Sequence, residues 1–386
     1  MAHKIPVDTL HYATVVTRDA KALAKNYAEI LGIDVWEVVR TTPGRLTNKT
    51  LRGLSPRPNP FPDQAGDIMP PNDFGFVSAI GTTVNGLTFQ ILQPAGGLST
   101  FEEFLVTRGQ GVHSLFLSEV QPGDIDSLKQ FLVGEGVSVA QSFTLDEAAD
   151  FYYFDTRKAL GGFFIQLVVP RKENWREAIK SDEIWDFSSV VNRLETVSAT
   201  TRATGIRHFG VVVPDVIAYT RNYAKLFGVP IWRGMHWRTE AGSLENTTNN
   251  GKDVVHAYLT GRADVGKAGL DVPFGFEIIQ PTFGPSHYKE DFLQVLGPGI
   301  HHVDIFMQFA DRAEWDAVNA WFTQQGAPTC MSGELRGGLG CFHYQDTRQK
   351  LGYVTEIIAP MPKNIPPPTA RRAPNFWYDF TADIAR

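Results

Sequence analysis

Residues 207–232 read RHFGVVVPDVIAYTRNYAKLFGVPIW, and residues 10–36 read LHYATVVTRDAKALAKNYAEILGIDVW. Each stretch opens with a histidine, continues as an apolar run and turns at Pro-Asp or Arg-Asp. Each then enters an amphipathic segment that contains Asn-Tyr-Ala and stops at glycine. An apolar run followed by a 3.6-residue period predicts a strand feeding a helix. The same sentence written twice in one chain is the signature of an internal repeat.

The self-similarity continues downstream. GLTFQILQPAGG (86–97) matches FGFEIIQPTFG (274–284), and STFEEFLVTRGQGVHSLFL (99–117) matches SHYKEDFLQVLGPGIHHVDIF (286–306). YFDTRKALGGFFIQLVVP (153–170) matches YQDTRQKLGYVTEIIAP (344–360). Two halves of one design therefore occupy residues 5–170 and 206–360, joined by a polar connector (171–205) and followed by a Pro/Arg-bearing tail (361–386). Each half divides again. HVDIFM, the helical EWDAVNAWFTQQG and the strands ending in YVTEIIAP repeat the order found in 206–281. The chain reads as α+β, four βαβββ modules paired into two domains. Long Gly-, Asn- and Pro-bearing insertions at 40–75 and 233–270 are expected to be lids or pocket walls.

The bulk numbers exclude several classes. A chain of 386 residues exceeds one hydrophobic core, in keeping with two domains. Net charge is −6 with basic residues scattered among acids, which argues against a nucleic-acid partner. No apolar run approaches a membrane span, and MAHKIPVDTL lacks the apolar stretch of a signal peptide. Cys330 and Cys341 are too few for a disulfide framework and suit a reducing cytoplasm as free thiols. The expected partner is a small-molecule substrate, with assembly as a homodimer left open.

Polar residues at repeat-equivalent strand positions are the informative ones. His208 opens the first strand of module three, and Glu277 stands between Phe276 and Ile278 on its last strand. Module four supplies His302 and Glu356 in the same pattern. A carboxylate within an apolar strand is costly to bury unless paired or metal-bound. Two histidines and two glutamates, one pair from each related module, make a set suited to one divalent metal ion per chain (Zn, Mn, Co, Ni, Mg or Fe(II)). In a regular strand His301 points away from His302, so His301 and its counterpart His113 are read as structural residues of the turn before the strand. The N-terminal half places His11, Gln90, Ser114 and Gln166 at the equivalent positions and is expected to lack the metal.

On these residues the chain resembles the vicinal oxygen chelate superfamily, which includes glyoxalase I, methylmalonyl-CoA epimerase, fosfomycin-resistance enzymes, extradiol dioxygenases and 4-hydroxyphenylpyruvate dioxygenase. RHFGVVVPDV, GPSHYKEDFLQVLGPGIHHVDIF and YQDTRQKLGYVTEII carry the resemblance and are most similar to the glyoxalase and epimerase branch. It implies paired modules forming an open cup around a metal held by His208, Glu277, His302 and Glu356. Four modules in one chain is instead the layout of the extradiol dioxygenases, whose iron(II) triad would be His208, His302 and Glu356.

With Glu277 as a fourth ligand, an octahedral shell keeps two positions for vicinal substrate oxygens and none for O₂. The resemblance thus implies a lyase or isomerase working through an enolate-like intermediate, with Glu277 or Glu356 as the carboxylate base. An iron-dependent ring-cleaving dioxygenase is the alternative, and a non-catalytic small-molecule-binding protein a third. Trp232, His236, Trp237 and Arg238 combine flat apolar surface with cationic donors suited to an aromatic or carboxylated substrate. His343 and Tyr344 precede the last strand, and Asp304 stands where it would orient a ligand or a substrate hydroxyl.

Overall fold

The computed structural model describes residues 4–384 except 8, 42–43, 56–73, 191–193, 195, 199–200, 241–242, 270–271, 307–308, 336–339 and 359–374. The repeated sentence folds as written. Helices Ala20–Leu31 and Val216–Phe227 follow the first strands Tyr12–Val16 and Ala203–Val212. Asp19 and Asp215 cap them by accepting bonds from backbone N–H groups of the first turn. Gly32 and Gly228 end them at φ 68° and 69°, a left-handed conformation that glycine adopts without a Cβ penalty. Leu23, Ala24, Tyr27, Ile30 and Leu31 line the buried face of the first helix.

Each half forms one continuous sheet among the described residues. The first runs in the order Glu183–Asp186, Val35–Arg40, Phe76–Thr82, Thr88–Pro94, Tyr12–Val16, Gly111–Glu119, Phe164–Pro170, Ala149–Phe154, Val139–Leu145, Leu46–Leu51. The second runs Lys252–Asp253, Leu244–Asn249, Thr329–Leu335, Gly340–Gln345, Val354–Ile358, Gly299–Phe306, Ala203–Val212, Pro273–Phe283, Ala257–Lys267, Ile231–Arg238, Phe376–Asp379. In both, the first strands of the two modules pair antiparallel at the centre, and each pairs in parallel with the last strand of its own module. This α+β, two-domain paired-module architecture brings four equivalent strand positions together in each sheet.

The Asn-Tyr-Ala signature joins the halves. Tyr27 Oη donates to the Leu351 carbonyl and Tyr223 Oη to the Leu160 carbonyl, each at 2.7 Å. Both acceptors lie in the turn after an Asp-Thr-Arg sequence, so the helix of one half rests on the turn of the other.

The insertions are not simple lids. Leu46–Leu51 pairs with Val139–Leu145, and Leu244–Asn249 with Thr329–Leu335, so each crosses to the outer edge of the partner module. Most of 233–270 is strand, whereas residues 56–73 of the first insertion lie outside the described residues. The connector and tail also extend the sheets, through Glu183–Asp186 and Phe376–Asp379. Met307, expected in the strand after His302, and residues 361–374 of the tail are likewise outside the described set. Cys330 and Cys341 are buried free thiols. No described helix is long and apolar enough to cross a membrane.

Two expectations about register are corrected. His11 does not occupy the place of His208. Thr14 lies opposite both Gln90 and Ser114, as Gly210 lies opposite Glu277 and His302, so Tyr12 is the equivalent of His208 and His11 that of Arg207. Strict alternation also fails at His301. Gly210 pairs with His302 and Val211 with Ile300, leaving His301 as the extra residue of a β-bulge. Ile300 and Val303 both face the helix-side core, and His301 turns toward the same side as His302. His113 occupies the same bulge in the first sheet, and Ile206 and Phe209 bracket a further one at Arg207–His208.

Candidate metal centre

Gly210 makes the centre sterically possible. A Cβ at this position would collide with the His302 ring, so only glycine lets that imidazole lie across the strand. His208, Glu277, His302 and Glu356 converge there on one face of the second sheet. His208 Nε2 lies 3.2 Å from His302 Nε2, 2.8 Å from Glu356 Oε2 and 3.4 Å from Glu277 Oε2. His302 Nε2 lies 3.5 Å from Glu356 Oε2 and 3.8 Å from Glu277 Oε2. Ligand bonds of about 2.0–2.2 Å place neighbouring donors roughly 3 to 3.5 Å apart, so this spacing is that of a coordination shell. Glu356 Oε2 is sealed from solvent and lies against the Nε2 atoms of His208 and His302. The donor set therefore fits a divalent cation.

Electrostatics point the same way. Burial and Arg262 oppose a charge on His208, yet Glu356 and Glu277 overcome both and raise its pKa to about 9. Burial lowers His302 to about 4 against the pull of Glu356. Burial pushes the Glu356 carboxyl upward, but His208 and His302 hold it well below the ordinary carboxylate range. The two carboxylates thus favour positive charge beside them, as a proton on His208 or as a cation between the imidazoles.

A second layer of contacts fixes the donors. Asp304, fully buried, sets Oδ2 3.3 Å from His208 Nδ1 and accepts from Arg207 Nε at 2.5 Å. Tyr288 Oη donates to Tyr344 Oη (2.6 Å), which donates to Glu356 Oε1 (3.0 Å). Behind His302, its Nδ1 lies 3.1 Å from His301 Nδ1, and His301 Nε2 lies 2.7 Å from His287 Nδ1. His301 is thus a neighbour of the centre as well as a bulge residue.

The residues expected around the substrate divide by face. Cross-strand pairing puts Trp237 opposite Tyr258, and Tyr258 belongs to the aromatic cluster with Tyr288, Phe342 and Tyr344 beside the centre. Trp237 Nε1 donates to Thr260 Oγ1 at 3.2 Å. Tyr344 shares this side. Trp232 does not: it is fully buried against Tyr223, and its Nε1 donates to the Val229 carbonyl. Trp36 makes the same bond to the Ile33 carbonyl in the first sheet, which marks both tryptophans as core. His236 and Arg238 share the alternation of Trp232 and face away from the centre. His343 packs at a tilt against Trp315 of helix Arg312–Gln324, 4.4 Å between ring centres, so it too is removed from the site. Asp304 lies behind His208, bonded by Arg207, instead of lining the cup.

Sequence reasoning missed Arg207, Arg262, Tyr288 and His287. Comparison of the halves carried a signal, because Tyr288 and His287 stand where the first half has Phe101 and Thr100 in the matched STFEEFL and SHYKEDFL stretches.

No protein-family model matches the sequence, and no curated protein matches it. Among solved structures, a triply substituted variant of 4-hydroxymandelate synthase from Streptomyces coelicolor is similar over 92% of this chain and 93% of its own, with TM-score 0.51 and 11% identity. The chain has the vicinal oxygen chelate fold. Lower similarities extend to a Mn(II)-bound glyoxalase from Novosphingobium aromaticivorans (12% identity, 92% and 83% coverage, TM-score 0.42). Methylmalonyl-CoA epimerase from Mycobacterium tuberculosis matches 44% of this chain with 91% of its own, at 18% identity and TM-score 0.27.

Proposed function

We propose that this chelate-fold chain is a divalent-metal-dependent lyase or isomerase acting on a small oxygenated substrate. The observation that carries this reading is the convergence of His208, Glu277, His302 and Glu356 on one point, with donor separations of 2.8–3.8 Å. A divalent ion held there supplies Lewis-acid polarisation of a carbonyl or hydroxyl oxygen. The chain's own residues supply orientation. Asp304 Oδ2 lies 3.3 Å from His208 Nδ1 while Nε2 faces the centre, and the His301–His287 pair stands behind His302. Tyr344 anchors Glu356, whereas Glu277 takes no tyrosine hydroxyl among the described residues and is the more exposed carboxylate, at 16% against 5%. Glu277 is therefore the better placed base for a proton on a substrate carbon, and Glu356 the fixed ligand. Trp237, Tyr258 and Phe342 offer flat walls to the substrate.

The same exposure favours one second reading. If His208, His302 and Glu356 are the ligands and Glu277 stands off, the set is the two-histidine, one-carboxylate triad of an iron(II) dioxygenase. Elemental analysis of protein purified without oxygen, paired with Glu277→Gln, separates the two. Zinc, manganese, cobalt, nickel or magnesium in the parent and its loss in the variant support the four-ligand enzyme. Iron retained in both supports the triad. No metal after reconstitution leaves a small-molecule-binding protein.

A further inference from the structure

Arg262 stands directly opposite Glu277 on the neighbouring strand, so both side chains project from the same face of the sheet. We infer that the substrate is an anion whose carboxylate is received by Arg262, an inference that rests on the metal-dependent reading above. Nε of Arg262 is sealed from solvent and has no acceptor among the described residues. Burial and the nearby Arg207 both work against its charge, with Glu277 and Asp304 opposing them. A guanidinium in this state gains from a carboxylate that takes its donors as a pair.

The charges of the site set the ligand's sign. Glu277 and Glu356 together neutralise a divalent ion, and Asp304 is taken by Arg207. Asp264, two residues along the strand from Arg262, lies 3.7 Å from Arg233. Among the described residues, the guanidinium of Arg262 is then the one charge of the loaded centre left over, which draws a monoanion and disfavours a neutral molecule of the same shape. The scaffold does not need a cation here. Ile80, paired opposite Gln90, fills the equivalent position in the first sheet. A carboxylate beside the polarised oxygen also suits an oxygenated acid whose two functional groups span the ion and Arg262.

Titration calorimetry of the manganese-loaded protein tests this with two probes of matched shape, phenylglyoxylate and neutral 1-phenylpropane-1,2-dione. Phenylglyoxylate is expected to bind at least tenfold more tightly than the dione. Arg262→Gln is expected to weaken the acid about 10- to 100-fold, leave the dione unchanged and keep the parent's metal content, whereas Arg262→Lys recovers part of the loss. Equal binding of acid and dione, failure of the acid to bind, or an Arg262→Gln variant that keeps both metal and acid affinity would overturn the assignment. So would loss of metal from Arg262→Gln, which would make Arg262 a support of the centre. Tighter binding of inorganic phosphate than of the acid would overturn the carboxylate. A parent protein that takes up no manganese instead removes the metal-dependent reading on which the inference stands, an outcome distinct from all of these.

Discussion

The inner strands of the N-terminal sheet carry Tyr12, Gln90, Ser114 and Gln166 where those of the C-terminal sheet carry His208, Glu277, His302 and Glu356. On the first set, neutral groups bond in part to one another, with Ser114 Oγ and Gln166 Oε1 left without a partner among the described residues. Thr14 Oγ1 donates to Gln90 Oε1 at 2.7 Å, Gln90 Nε2 to Ser78 Oγ at 2.8 Å, and Gln166 Nε2 to Tyr12 Oη at 2.7 Å. Phe116 and Phe101 close over them in an apolar cluster, at the places of Asp304 and Tyr288. The same backbone thus supports a sealed neutral core on one side and a charged His/Glu cluster that fits a cation on the other. The difference lies in side-chain chemistry at shared register positions, since both sheets keep the same bulge and the same pairing.

The largest effect that could break this comparison is loss of the ion. His302→Ala should take bound metal from one ion per chain to none, while Ser114→Ala and Gln166→Ala leave it intact, as elemental analysis would read. Metal lost from Gln166→Ala would mean that the neutral side is not neutral. Next in size, Gln166→Glu places a carboxylate among the uncharged partners of the first sheet. It should lower the free energy of unfolding by about 2–3 kcal/mol in a denaturant titration, and an unchanged midpoint would show that this core is not sealed. Gly210→Ala should weaken metal binding roughly 10- to 100-fold in a chelator competition, because overpacking costs about 1–3 kcal/mol. Thr14, its counterpart, already carries a Cβ.

Finer contrasts sharpen the comparison. His301→Phe is expected to weaken metal binding about tenfold or somewhat more without abolishing it, and His113→Phe to leave it untouched. If the two variants behave alike, the contact between His301 and His302 carries no function. The smallest effect concerns acid. Burial, assisted by Arg157, lowers His113 to about 3 from its ordinary 6.5. Between these values the unfolded chain binds the proton and the folded chain does not, so the stability contributed is complete above pH 6.5 and is lost as pH falls toward 3. His113→Phe should flatten that acid limb in melting curves taken from pH 7 down to pH 4.

Much of this was legible in the sequence. The doubled strand–helix sentence announces the modules, because Asp and Gly bound each helix and Asn-Tyr-Ala recurs at one helical position. The His/Glu quartet was legible because a carboxylate inside an apolar strand is costly to bury without a counter-charge. The one-residue error at His11 was avoidable: Asp19 and Asp215, Asn26 and Asn222, Gly32 and Gly228, and Trp36 and Trp232 are all separated by the same interval, which pairs Tyr12 with His208. The recurrence of Trp36 at Trp232 also marked that residue as core. The bulge at His301 was not legible, since it exists only in the pairing of one strand with another and no local residue choice demands it.

By itself, then, the sequence determined the modules, their duplication and a His/Glu cluster confined to the second half, since these rest on local periodicity and on the cost of burying charge. Only the tertiary structure decided that Arg262 faces Glu277, that Tyr288 and Tyr344 tether Glu356, that Asp304 lies behind His208, and that Trp232 and His343 turn away. Those relations join strands far apart in the chain, and a single step in their register exchanges one face of the sheet for the other.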